Sequence, residues 1–261
     1  MIDVHCHLEQ KDYEKDLDEV IKRAKENGLI AIITSCAHPK DFERTMEIVE
    51  RYKNYVFASV GIHPEYIKEL KENEIDNFLD LIKENKDKIV SIGEIGLDYY
   101  WIKEKEWQEK QKELFRKMIN FAKEIKKPIT VHIRNACEDC LKILEEENAK
   151  KVHLHMFMCH KFVDKVKENG WYVSINPVIL RNKNHKKIAK KMPLERIMLE
   201  TDAPWNSPKR ILEGIYERNE PIAVKVVAEK IAEIKKISFE EVERQTDLNA
   251  IEFFKLPISK L

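Results

Sequence analysis

Ile2-Asp3-Val4-His5-Cys6-His7-Leu8 opens the chain. Side chains on a strand alternate between two faces, so His5 and His7 share one face while Cys6 points to the other. The stretch reads as a short strand ending in two imidazoles. It lacks the glycine-rich first turn of an open doubly wound sheet, the main competing fold. Working outward, further short apolar runs predict strands at Ile30–Cys36, Val56–His63, Ile89–Gly96, Ile129–Arg134, Val152–Phe157, Tyr172–Asn176 and Ile197–Thr201, after a first strand over Ile2–His7. Between them lie amphipathic stretches such as Tyr13–Asn27, Asp41–Tyr52, Ile75–Lys86, Glu104–Lys126 and Cys140–Glu147. Strand–helix alternation argues a parallel sheet, and eight strands argue its closure into a single (β/α)8 TIM barrel over residues 1–261.

Composition agrees with that size. The 261 residues are 43% hydrophobic, enough for a large core, and 36% charged. Six glycines and nine prolines leave little room for linkers, and no internal repeat is visible. Forty-seven basic residues balance forty-seven acidic ones, so any hold on nucleic acid must be local rather than a global field. No apolar run approaches the ~18 residues of a membrane span, and no signal peptide opens the chain. Five cysteines form no disulfide framework. The expectation is a cytoplasmic protein with reduced thiols, away from membranes.

In a parallel barrel the strand interiors should be apolar, with polar side chains at the C-terminal ends facing the mouth. His5 and His7 close strand one, Glu94 lies near the end of strand four, and His132 ends strand five. His155 ends strand six and Asp202 follows strand eight. A His-x-His pair alone could be a capped strand end. Six ligand-type residues at five strand ends instead predict a divalent-metal site, with zinc, manganese or a harder ion suited to nitrogen and carboxylate ligands.

These residues sit in motifs that resemble the TatD family of metal-dependent deoxyribonucleases, within the amidohydrolase-like barrel superfamily. The likeness runs from Ile2–Leu8 through Gly61-Ile62-His63-Pro64, Gly93-Glu94-Ile95-Gly96-Leu97-Asp98-Tyr99 and Pro128-Ile129-Thr130-Val131-His132. It continues with His155-Met156-Phe157, Glu200-Thr201-Asp202-Ala203-Pro204-Trp205, Arg218-Asn219-Glu220-Pro221 and Asn249. The resemblance implies two metal ions (Mg2+, Mn2+ or Zn2+), one held by His5, His7, Glu94 and Asp202. The second would be held by His132 and His155, with Glu94 shared between the two. It also implies catalytic roles for Glu94 and for Asp202, which would orient or deprotonate the attacking water. Met158-Cys159 stand where the family usually has small residues, a departure that bears on substrate preference.

Further residues are less decided. His63 reads either as a phosphate or second-layer contact or as a cap fixed by Pro64. Asp98 could orient a ligand histidine, and Arg134, on the face of His132, could clamp a phosphate; His63, Arg134 and Asp98 are the candidate substrate contacts. The basic run Arg181–Lys187 reads as a loop over the mouth or a solvated helix start. Tyr99, Tyr100 and Trp101 could stack an unpaired base, whereas Trp107 suits the core. Cys137 and Cys140 read as incidental thiols at a helix start.

The expected activity is 3′→5′ removal of nucleotides from single-stranded or frayed DNA, or RNA. The alternatives are an ester or amide hydrolase, such as an aminoacyl-tRNA deacylase, and a barrel that binds metal without turnover. Oligomeric state is not legible.

Overall fold

A computed structural model describes residues 1–258; the expected domain end at 261 lies outside the described residues. Eight strands form one sheet: β1 (Ile2–Cys6), β2 (Ala31–Cys36), β3 (Val56–Val60), β4 (Ile89–Asp98), β5 (Ile129–Arg134), β6 (Val152–Leu154), β7 (Tyr172–Ile175) and β8 (Ile197–Leu199). They pair in chain order and every pair is parallel. The seam between β8 and β1 is joined just past the strand ends. There Asp202 N donates to His5 O at 2.9 Å and His7 N donates to Ala203 O at 2.8 Å. Asp3 ties the seam from within, its carboxylate accepting from Thr201 N at 3.1 Å and Thr201 Oγ1 at 2.6 Å. The fold is the barrel that the alternation predicts.

The helices are α1 (Leu17–Glu26), α2 (Phe42–Arg51), α3 (Glu72–Glu84), α4 (Lys105–Glu124), α5 (Cys137–Glu146), α6 (Val163–Glu168), α7 (Lys183–Lys191), α8 (Pro208–Glu213), α9 (Val224–Lys235) and α10 (Phe239–Phe254). Each long helix buries one stripe, as Val20, Ile21 and Ala24 do in α1, because i, i+3 and i+4 side chains share a face. Ser238 starts α10, its side chain accepting from Glu241 N at 3.1 Å. At the far end of α10, Phe253 and Phe254 pack on His153 with centroids 6.3 and 5.7 Å away, at the N-terminal ends of the strands. The floor of the barrel is therefore aromatic.

Three expectations need correction. The barrel interior is not uniformly apolar. Ser91, Thr130, His153 and Ser174 are buried and hydrogen-bonded in sequence around the barrel, at 2.8, 3.2 and 2.7 Å. Polar groups can be buried here because each finds a partner on the next strand. The run Arg181–Lys187 is not a loop over the mouth. Asn182 caps α7, accepting from Asn184 N and His185 N; Lys183 and Lys187 face solvent, and His185 is buried. The thiols are not all free: Cys137, at the start of α5, forms a disulfide with Cys159, in the loop after β6. The two lie 22 residues apart, and only the return of β6 beside β5 brings them together.

Candidate metal centre

The strand ends place the polar side chains, and local backbone features aim them. On β5 and β6, Thr130 and His153 lie in the buried polar layer, and His132 and His155, two residues further on, rise above it on the same face. β4 departs from simple alternation: its register with β5 shifts between Ile92 and Ile95, around Glu94. Gly93 and Gly96 permit that approach. A Cβ at Gly93 would meet Thr130 at 2.6 Å, and one at Gly96, where φ is +144°, would meet the His132 carbonyl oxygen at 2.0 Å. At the end of β3, Pro64 begins a short 3-10 turn and His63 Nδ1 accepts from Glu65 N at 3.2 Å. This cap leaves Nε2 pointing inward. Both readings of His63 thus describe one side chain, a cap on one nitrogen and a site contact on the other.

Glu94 is the centre of the arrangement. Its Oε2 lies 3.1 Å from His5 Nε2 and 3.8 Å from both His7 Nε2 and His155 Nε2. Its Oε1 faces His63 Nε2 at 3.3 Å and His132 Nδ1 at 3.7 Å. Asp202 Oδ1 stands 3.7 Å from His5 and 3.8 Å from His7, and its other oxygen accepts from Asn206 at 2.8 Å. All six predicted ligand-type residues are therefore brought together, with His63 and Asp98 beside them.

Among the described residues, four overlapping groups have ligand atoms within 4.8 Å of one another: His5–His155–Asp202, His5–His7–Glu94, Glu94–His132–His155 and His63–Asp98–His132. These residues fit a cation. Burial lowers the His5 imidazole and so disfavours its charged form, and neither ring nitrogen has an aligned hydrogen-bond partner, although Nε2 faces a carboxylate. A cation between that lone pair and Glu94 would satisfy both.

A second set of carboxylates grips the imidazoles from behind. Glu9 is 3.1 Å from His7 Nδ1, Glu200 is 3.0 Å from His155 Nδ1, and Asp98 is 2.9 Å from His132 Nε2. Such partners fix the tautomer and orientation of a ligand histidine. Their charges are felt. Burial alone would lower His7 and His155, but Glu9 pushes the first up to about 9, and Glu200 with Glu94 pushes the second up to about 10. Burial would likewise raise Glu94, yet His63, His155 and His5 hold it well below the usual carboxylate range. His63, buried and beside His132, falls to about 3, and burial raises Asp202.

Sequence reasoning missed Glu9 and Glu200. Glu9 lies in the turn after β1 and Glu200 just past β8, outside the alternation of the strands, so their one signal in the sequence is a carboxylate two residues from a predicted ligand. Arg134 is exposed, its guanidinium 3.9 Å from the Tyr100 ring centroid and 5.4 Å from that of Trp101. Tyr99 turns away and donates to Asp139 at 2.7 Å, and Trp107 packs on the core. Asn219 and Asn249, noted only within motifs, are braces. Asn219 donates to Thr201 O and Trp205 O at 3.0 and 2.7 Å; Asn249 donates to Leu194 O and Ile197 O at 2.8 and 2.7 Å. Above the cluster opens a cavity of about 800 Å³, lined among others by Arg134, Trp101, Trp205 and Arg210.

A parallel barrel with imidazoles and carboxylates converging at the C-terminal mouth has the architecture of a metal-dependent hydrolase. A family model described as "TatD related DNase" matches residues 2–255. Human "Deoxyribonuclease TATDN3" is 35% identical over 264 residues, covering 97% of this chain and 94% of that protein. "Uncharacterized metal-dependent hydrolase YabD" of Bacillus subtilis is 37% identical over 261 residues, covering 98% and 99%. The crystal structure of a TatD-family hydrolase from Entamoeba histolytica aligns with TM-score 0.88 at 26% identity over 97% of each chain. The chain belongs to the TatD-related DNase family and is, with these relatives, a nuclease-like metal-dependent hydrolase.

Proposed function

We propose that the chain, acting as one domain, is a two-metal phosphodiesterase that removes nucleotides 3′→5′ from single-stranded or frayed DNA ends, with RNA as a lesser substrate. The observation that carries this reading is Glu94, whose Oε2 faces His5, His7 and His155 while its Oε1 faces His63 and His132, so that one carboxylate could serve two cations with His155 beside the first set. His5, His7 and Asp202 would share one cation with Glu94; His132 and His155 would share the other. When bound, such cations supply Lewis-acid stabilisation of the charge that develops on the phosphoryl oxygens.

The chain's own residues do the rest. Asp202, whose other oxygen accepts from Asn206, would take the proton of an attacking water. Glu9, Glu200 and Asp98 keep the imidazoles in their donor tautomers. Asp98 has both oxygens engaged, one by His132 and one by the amides of Tyr100 and Trp101, so its role is to orient, with His63 and Arg134 left to meet substrate. The polar layer and the aromatic floor close the pit from below, which suits a chain terminus better than a phosphate within a duplex.

The test is degradation of an end-labelled oligonucleotide with Mg2+ or Mn2+. Stepwise loss from the 3′ end is expected, abolished by chelation and reduced ~10²- to 10³-fold by Glu94→Ala, in line with losing a charge-stabilising group. Full activity in that variant would sink the reading. Hydrolysis of aminoacyl-tRNA or simple esters in place of the oligonucleotide would move it to the carbonyl chemistry of the same fold.

A further inference from the structure

Large apolar rings left in water call for an explanation when they gather at one place. Trp101 is 58% exposed, Tyr100 42% and Trp205 44%. Both indoles line the mouth cavity. Trp101 follows β4 and Trp205 follows β8, and strands four apart in an eight-stranded ring lie on opposite sides of it. The metal cluster therefore lies between two exposed indoles.

Neither ring is loosely attached. Trp101 N and Tyr100 N both donate to Asp98 Oδ1 at 2.9 Å, the carboxylate whose other oxygen holds His132. Tyr100 and Trp101 meet edge to face at 4.9 Å, with Arg134 over both. On the opposite side, Trp205 N donates to Asp202 O at 3.0 Å and its ring stands 4.9 Å from His7. Each ring is thus referenced to a residue of the cluster.

We propose that these are two base-stacking shelves, Trp101 with Tyr100 and Arg134 on one side and Trp205 on the other. They hold unpaired nucleobases on either side of the phosphodiester presented to the cluster. Every base offers a π-face, so such shelves select single strands without selecting sequence, and the guanidinium adds attraction for both ring and phosphate. A paired base is already stacked within its duplex and has no face to offer. The substrate class is therefore single-stranded nucleic acid with a base on each side of the cleaved bond. This inference rests on the phosphodiesterase reading above.

The experiment compares Trp101→Ala, Trp205→Ala and the two Phe variants with wild type. The substrates are an oligothymidylate and a tetrahydrofuran oligomer of equal length that carries no bases. The wild-type preference for the base-bearing strand, read as a ratio of kcat/KM, is expected to fall about 5- to 150-fold in each Ala variant. The loss should lie mainly in KM, and each Phe variant should recover most of it. Quenching of indole fluorescence by oligothymidylate reads binding apart from turnover. Quenching without cleavage would keep the shelves and remove the nuclease reading. Cleavage with an unchanged preference in both Ala variants would overturn the shelves and keep the nuclease.

Discussion

Glu200 lies two residues before Asp202 and never faces the cavity, yet it is bonded to His155, Ser174 and, through Ser174, to His153. Its carboxyl is pulled down to about 2 although burial would raise it, with His155 the main opposing charge. A carboxylate in that position sets which imidazole nitrogen carries the proton and which is free for a cation. Glu200→Gln keeps the shape but loses the charge. The expected result is metal affinity weakened ~10- to 100-fold, measured by calorimetric titration, with the apo protein also destabilised because His155 loses its buried counter-charge. Unaltered affinity would show that the strand, not Glu200, aims His155. Gly96 gives a complementary test: a methyl there would meet the His132 carbonyl at 2.0 Å at a φ of +144°. Gly96→Ala should therefore destabilise the protein by several kcal/mol, about the range for strained or overpacked core changes, read as a shift in urea midpoint.

At the scale of elements, the disulfide changes how the sixth loop is understood. Met158 and Cys159 stand where small residues are usual in the resembling family, and a change of pocket shape follows naturally from side-chain size alone. The structure adds a covalent tie: Cys159 is bonded to Cys137, and both line the mouth cavity. The loop that follows His155 is thereby anchored to the start of α5. Closing a loop of this length restricts the unfolded chain by about 2–4 kcal/mol. Reduction should accordingly lower the melting temperature of the wild type, while Cys159→Ser should melt lower from the outset and ignore the reductant. A wild-type melting temperature indifferent to reductant, with two further free thiols by mass, would count against the bond. At the strand ends, His63-Pro64 and Asn176-Pro177 share one device. The side chain caps a short 3-10 turn and Pro occupies its first position.

For the whole molecule, buried titratable groups make stability depend on pH. His153 and His185 are buried and neutral, their values lowered by burial from an ordinary 6.5 to about 3 and about 4. These two imidazoles thus bind fewer protons in the folded chain than in the unfolded one. Stability present above about pH 6.5 is lost as pH falls toward the folded values. Asp247 works in the other direction: raised by burial to about 6, it contributes stability at low pH that is lost as pH rises through that value. The two effects overlap in a wild-type curve, so the informative comparison is with His185→Gln. From pH 7 to 5 the wild type should lose about 2 kcal/mol more than this variant, by urea unfolding at each pH. Parallel curves would mean that His185 binds protons equally in the folded and unfolded chain, and would overturn the reading.

The alternation of apolar runs with amphipathic stretches, and the polar residues at strand ends, determined by themselves the barrel and the six ligand-type side chains. They are legible because period two and period 3.6 are local properties, and because a parallel barrel sends every strand end to the same mouth. Arrangements that depend on which strand lies beside which were decided only by the tertiary fold. Glu200 reaching His155, Cys137 meeting Cys159, the layer of Ser91, Thr130, His153 and Ser174, and the two indoles on opposite sides of the mouth are all of this kind. Their partners are separated by 21 residues or more, or lie across the barrel. Chain closure, not pattern, brings such pairs within reach.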